Sequence, residues 1–133
     1  LVVARLVRDL AIGCEIVVVP TVREPDGLAM SSRNVYLGPH ERKAATALFR
    51  ALSSASARFS AGEREGAALR RAATDVLDAE PLVRPDYVSI CTTADLRELD
   101  RVGSGALAAL ACRVGATRLI DNVLLGDASL LTR

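Results

Sequence analysis

The chain has 133 residues, half of them hydrophobic and 3% aromatic, with 17 basic against 16 acidic residues and a formal net charge of +1. That is one domain's worth of chain, and a core of Val, Leu, Ile and Ala suits helices packed on a sheet. The near-neutral balance gives no reason to expect nucleic acid or an anionic membrane as a partner. Lys43 is the only lysine, so a functional arginine has to be picked by position and not by count. Cys14, Cys91 and Cys112 are odd in number and scattered. They argue against a disulfide framework or a structural zinc site and read as buried thiols in a reducing, cytoplasmic setting. No signal peptide is visible, and no apolar run approaches the roughly 20 residues of a membrane span.

In chain order, Val3, Leu6, Val7 and Leu10 fall at helical spacing, with Ile12-Gly13 as the stop. The uncapped start reads as the later part of a longer helix. Glu15–Val19 is apolar nearly throughout, which suits a strand buried on both faces of a parallel sheet and ended by Pro20. Helix then strand is half of a βαβ unit, whose remaining sheet is not expected in this chain. Arg23-Glu24-Pro25-Asp26-Gly27 is a run of turn formers, and the domain boundary is placed near Val22. Residues 1–22 then read as the end of an N-terminal parallel-sheet domain, and 23–133 as a second domain.

Gly38-Pro39-His40-Glu41 marks a helix start, and Ala45, Leu48, Leu52, Ala55 and Phe59 form one apolar stripe up to Ser60-Ala61-Gly62. A second helix is expected from about residue 63 to 78, with Leu69, Ala73, Val76 and Leu77 inward. Residues 86–92 read as a strand, residues 93–99 as a short helical turn capped by Thr93, and 106–114 with 117–125 as two strands joined by a tight Gly115-Ala116 hairpin. The fold class is therefore α+β: two helices and a small, largely antiparallel three-stranded sheet, preceded by one helix and one parallel strand.

The chemistry-bearing segment is the loop Gly27-Leu28-Ala29-Met30-Ser31-Ser32-Arg33-Asn34, which leaves the carboxyl end of the expected parallel strand. Adjacent serines offer hydroxyl and backbone donors, and an arginine adds a planar cation that can hold two phosphate oxygens at once. Gly27 lets the loop turn and approach a ligand. By composition alone the same residues also read as a solvated turn whose serines cap the backbone.

The run Pro20-Thr21-Val22-Arg23-Glu24-Pro25-Asp26-Gly27-Leu28-Ala29-Met30-Ser31-Ser32-Arg33-Asn34, followed by Tyr36-Leu37, resembles the signature of the pantothenate synthetase (pantoate–β-alanine ligase) family. Gly115-Ala116-Thr117-Arg118-Leu119-Ile120-Asp121-Asn122 resembles the family's closing strand. The resemblance implies an ATP-dependent, AMP-forming ligase that makes a pantoyl adenylate and then joins pantoate to β-alanine. It implies a Rossmann-like N-terminal domain and a C-terminal lid like those of class I aminoacyl-tRNA synthetases. It further implies that Ser31, Ser32 and Arg33 contact the ATP phosphates, and that Val22 and Met30 meet the adenine largely through backbone groups. Mg²⁺ would accompany ATP, with no protein ligand for it evident here.

The family's His-x-Gly-His motif does not occur in the chain, nor does any glutamine that could serve its pantoate site. The single histidine, His40, reads as an exposed first-turn residue. The expectation is a chain that carries the nucleotide lid but is inactive alone; the alternative is an inert structural module, self-associating through its first helix and strand. Glu24 and Asp26 could be a carboxylate pair for Mg²⁺ or acid–base work but read better as turn former and surface charge. Asn34 is expected to have a structural role, and Arg70-Arg71 to be a solvated helix face. Arg118 and Asp121, three apart on a strand, should face opposite sides in structural roles.

Overall fold

A computed structural model describes residues 1–126. The last residues of the expected 23–133 domain, 127–133, lie outside the described part. The architecture is α+β, with helices covering one face of a three-stranded antiparallel sheet of order β1-β2-β3. Helix α1 spans Val2–Asp9, α2 Pro39–Ala44, α3 Thr46–Ser60 and α4 Gly66–Asp78. The strands are β1 Val83–Cys91, β2 Gly105–Val114 and β3 Thr117–Gly126. No helix among the described residues is long and apolar enough to cross a membrane.

The expected stripe Ala45, Leu48, Leu52, Ala55 and Phe59 is buried throughout, as are Leu69, Ala73 and Leu77 of α4. These side chains meet Ile90 of β1, Ala106, Ala108, Leu110, Cys112 and Val114 of β2, and Leu119 and Leu125 of β3 in one core. The even positions of β2 and the odd positions of β3 point inward, the period-two alternation of a sheet with one covered face. α4 begins at Gly66, later than the pattern suggests, because the Glu63 carboxylate accepts the Arg64 and Glu65 N–H groups and holds them outside the helix.

β2 and β3 pair in register from Val114↔Thr117 to Gly105↔Gly126, joined by the two-residue turn Gly115-Ala116. Gly115 has φ +59°, the left-handed value that a tight hairpin asks of its first turn residue. A Cβ there would also strike the Glu41 carboxylate, whose Oε2 accepts the Gly38 N–H at 2.9 Å. The hairpin tip is thus seated against the first turn of α2. β1 starts at Val83, earlier than its expected bound at Asp86. The edge position tolerates Pro85, and the ladder shifts register between Pro85 and Tyr87.

Four expectations fail. Glu15–Val19 forms no strand, and Val17 and Val19 are 72% and 73% exposed, because a doubly buried strand needs neighbours that the described residues do not supply. Cys14, on the same segment, is exposed instead of buried. α1 stops at Asp9, and its left-handed residue is Ala11 instead of Gly13. The Ala11 N–H bonds Arg8 O and the Ile12 N–H bonds Val7 O, a Schellman closure. Residues 93–99 are not helical: Leu96 has φ +59°, Thr92 Oγ1 pairs with Asp95, and the chain turns back so that the Leu99 N–H reaches Ile90 O at 2.8 Å. Side-chain bonds from Thr92 and Asp95 compete there with helix formation.

Leu110 is fully buried in the central strand. Leu110→Ala should lower unfolding free energy by about 2–5 kcal/mol, read from urea denaturation.

Candidate functional site

The segment from Thr21 to Leu37 divides into a clamped root and an open tip. Its root is a small hairpin. Arg23 bridges Ala29, the Glu24 N–H donates to Leu28 O at 2.8 Å, and the Met30 N–H donates to Val22 O at 3.0 Å. Pro25 and Asp26 fill the turn, closed by the Gly27 N–H on Glu24 O at 2.9 Å, with Gly27 following at φ +90°. That is a tight turn closed by a left-handed glycine, which the Pro-Asp-Gly run predicted.

Four contacts fix this root. Leu28 is buried in the domain core. Gly27 lies so close to Phe49 that a Cβ would overlap its ring. Asp26 receives both Nη groups of Arg42, at 2.7 and 3.2 Å, and its Oδ1 accepts the Leu28 N–H. The Arg42 guanidinium holds the Asp26 carboxyl below the usual carboxylate range. Finally, Arg23 binds Asp121 of β3 two-pronged, at 2.7 and 3.0 Å, while also donating to Gly27 O. The Asp121 side chain is 2% exposed and that of Arg23 21%. Breaking a buried pair of this kind costs about 3–5 kcal/mol, and the partial exposure of Arg23 puts this pair at the lower end.

Beyond the root, Met30, Ser31, Ser32 and Arg33 are all exposed. Ser31 caps a 3-10 helix at Ser32–Tyr36, its Oγ accepting the Arg33 N–H at 3.2 Å. The capping role weighed for the serines is therefore real for Ser31, and it leaves the Ser32 hydroxyl and the Arg33 guanidinium without a protein partner among the described residues. Asn34 ties the tip back, its Nδ2 donating to Ala29 O at 3.1 Å, while its Oδ1 is buried without a partner. Val22 is exposed; its carbonyl is used by Met30, whereas the Val22 N–H and the Met30 carbonyl have no partner among the described residues.

Opposite the tip stands β3. A cleft of about 300 Å³ opens between Met30, Ser31, Arg33 and Asn34 on one wall and Ile120 and Asn122 on the other, with Leu28, Leu48 and Leu119 below. Arg33 also borders a second, shallower cleft with Tyr36, Thr117 and Arg118. Met30, Ser31 and Arg33 therefore converge on one concavity, which Ser32 and Val22 do not line. Chemically it offers a free guanidinium, hydroxyls and backbone donors over an apolar floor, suited to an anion carried on a flat apolar group.

Other expected residues fall elsewhere. His40 is exposed in the first turn of α2. Glu24 and Asp26 form no carboxylate pair, since Asp26 belongs to Arg42. Arg71 is exposed, but Arg70 is ion-paired to Glu98 at 2.8 Å, so that helix face is less solvated than expected. Arg118 turns outward to Asp86 at 2.6 Å and Asp121 inward to Arg23, on opposite sheet faces. The Arg23–Asp121 pairing, across 98 residues, was not legible from the sequence. Its one signal is a carboxylate in an otherwise inward apolar series, Leu119, Asp121, Val123 and Leu125.

Residues 1–124 match the family model of pantoate-beta-alanine ligase. The pantothenate synthetase of Roseiflexus castenholzii is 65% identical over 125 residues, covering 94% of this chain and 45% of that protein. A crystal structure of pantothenate synthetase from Thermus thermophilus superposes with a TM-score of 0.88 at 44% identity, covering 95% of this chain and 45% of that one. A crystal structure of pantoate-beta-alanine ligase from Francisella tularensis, complexed with beta-gamma ATP and beta-alanine, gives a TM-score of 0.54 at 25% identity, with 92% and 38% covered. The chain thus spans less than half the length of the relatives it matches.

Gly27→Ala places a side chain at φ +90° and against Phe49. It should cost about 2–4 kcal/mol, the sum of left-handed strain and overpacking, seen as a lower thermal midpoint.

Proposed function

The chain belongs to the pantoate-beta-alanine ligase family, and from that premise we propose that residues 22–34 are the part of such an enzyme that holds ATP. The observation that carries the reading is Arg33, an unpaired guanidinium beside exposed serines on a loop whose root is clamped. In this reading Ser31, Ser32 and Arg33 hold the β- and γ-phosphates. The Val22 N–H and Met30 carbonyl, a donor and an acceptor left open in the hairpin, meet the adenine edge.

The proposed reaction has two steps. A pantoate carboxylate oxygen attacks the α-phosphorus, the bond to the bridging oxygen breaks, and pyrophosphate leaves with the electron pair. The β-alanine amine then attacks the acyl carbon of the pantoyl adenylate, loses a proton, and displaces AMP to give pantothenate. Arg33 contributes where charge grows on the departing pyrophosphate, and the loop contributes mainly by positioning. The residues around the loop do not fit a resident metal: Asp26 and Asp121 are each taken by an arginine, and Glu24 joins no cluster of ligating side chains among the described residues. Mg²⁺ is accordingly proposed only as the counter-ion of ATP, and no step is routed through it.

We take residues 23–133 to form the lid over the nucleotide and residues 1–22 to belong with a Rossmann-like N-terminal domain, in a cytoplasmic enzyme. The pantoate and β-alanine sites are assigned to no residue of this chain, so these 133 residues alone should not make pantothenate. A second reading has its own support. Val2, Val3, Leu6 and Leu10 of the first helical segment are more than half exposed, and none of α1 is buried. Such a face suits an inert or self-associating module without useful ATP affinity.

Calorimetric titration with Mg-ATP separates the readings. The lid reading expects measurable binding that weakens at least tenfold in Arg33→Ala. No heat of binding, together with a concentration-dependent increase in mass, would favour the module. An assay with pantoate, β-alanine and ATP should give no pantothenate from this chain by itself, and clear turnover would refute its inactivity.

A further inference from the structure

The guanidinium of Arg23 ties the hairpin at the loop's root to β3. It bonds Asp121 Oδ2 at 2.7 Å and Oδ1 at 3.0 Å, the Asn122 carbonyl at 3.4 Å, and on the hairpin side the Gly27 carbonyl at 3.0 Å. Asp121 Oδ1 also accepts the Asn122 N–H at 2.8 Å, which fixes the carboxylate. Asp121 points into the core, and the β3 segment Leu119 to Asn122 that carries it borders the same cleft as Met30, Ser31 and Arg33. One segment of β3 therefore both grips the loop's root and borders the cleft beside its tip.

We propose that Arg23 and Asp121 are positioning residues: their two-pronged pair sets the separation of the phosphate loop from β3, and with it the width of the nucleotide cleft. This rests on reading that cleft as the ATP-phosphate site. Besides the packing of its 3-10 helix on β3 and of Leu37 on the core, the tip is held through the hairpin. Met30, Ser31, Ser32 and Arg33 are exposed, and their ties run through Val22, Ala29 and Asn34, all on or beside the hairpin that Arg23 anchors. A lysine at 23 keeps the charge but cannot hold two carboxylate oxygens and a carbonyl in one plane. An asparagine at 121 keeps the shape but removes the charge and one acceptor. A displacement of about 1 Å at such a root is enough to spoil phosphate alignment.

The test uses this chain as wild type, Arg23→Lys and Asp121→Asn, with residue-resolved amide hydrogen exchange by NMR. Both variants should lose at least tenfold more protection at the Glu24 and Met30 amides than at the central amides of β2. Mg-ATP affinity should fall at least tenfold in both. Loop protection equal to wild type overturns the proposal, and so does a loss no larger at the loop than over β2, which would mark a purely structural pair. If wild type binds no ATP, the nucleotide reading fails, while loop exchange still judges the positioning. If neither variant folds, wild type alone decides: the Arg23 Nη protons should give separate, slowly exchanging signals, and a freely rotating guanidinium would refute the pair.

Discussion

Asp121 puts a carboxylate on the inward face of β3, between Leu119 and Val123, and a charge in that position has to be matched. An isolated carboxylate among leucines would be strongly disfavoured, so the strand demands a cation from elsewhere. Arg23 supplies it from the opposite end of the chain, and its stem and ring contact with Phe49 cover the pair from solvent. Everything at the site follows from that match. The hairpin of residues 22–30 is drawn against β3, Leu28 drops into the core, and Gly27 closes on Phe49. What remains outside is a short tip whose serines and arginine face β3 across a cleft. Rigid at its root and unpaired at its tip, the loop has the organisation wanted for charge positioning: ordering costs are met by folding and not by the ligand.

The amphipathic helices were legible because their signals are local and redundant. Ala45, Leu48, Leu52, Ala55 and Phe59 repeat at helical spacing, and every one is buried. The β2–β3 hairpin was legible for the same reason, since Gly115-Ala116 interrupts two apolar runs of equal length. The Glu15–Val19 strand was not, because a run of valines specifies burial only when partners exist to bury it, and in the described residues they do not. Residues 93–99 misled in another way. Thr93 reads as a helix cap, yet the side chains of Thr92 and Asp95 bond each other and the chain turns back instead.

Of the site, Met30, Ser31, Ser32 and Arg33 were visible as a motif, and the structure brings Met30, Ser31 and Arg33 together at one cleft. Their environment was not visible. Nothing in sequence spacing joins residue 23 to residue 121 or residue 26 to residue 42, and these pairs determine where the motif points. The motif supplies the chemistry, and long-range ion pairs supply its placement. The chain belongs to the pantoate-beta-alanine ligase family and spans 45% of the length of its Roseiflexus castenholzii relative, so the ATP reading of the motif is a proposal.

The central claim, that a nucleotide's phosphates lie between Met30–Arg33 and the Ile120–Asn122 segment, is tested most directly by mapping amide shifts of this chain as ATP is added with Mg²⁺. The account predicts shifts concentrated at residues 22, 30–34 and 120–122, larger with ATP than with AMP, and little change in the amides of α4 and β1. Shifts of equal size with AMP, or shifts gathered on α4 and β1 instead, would contradict it.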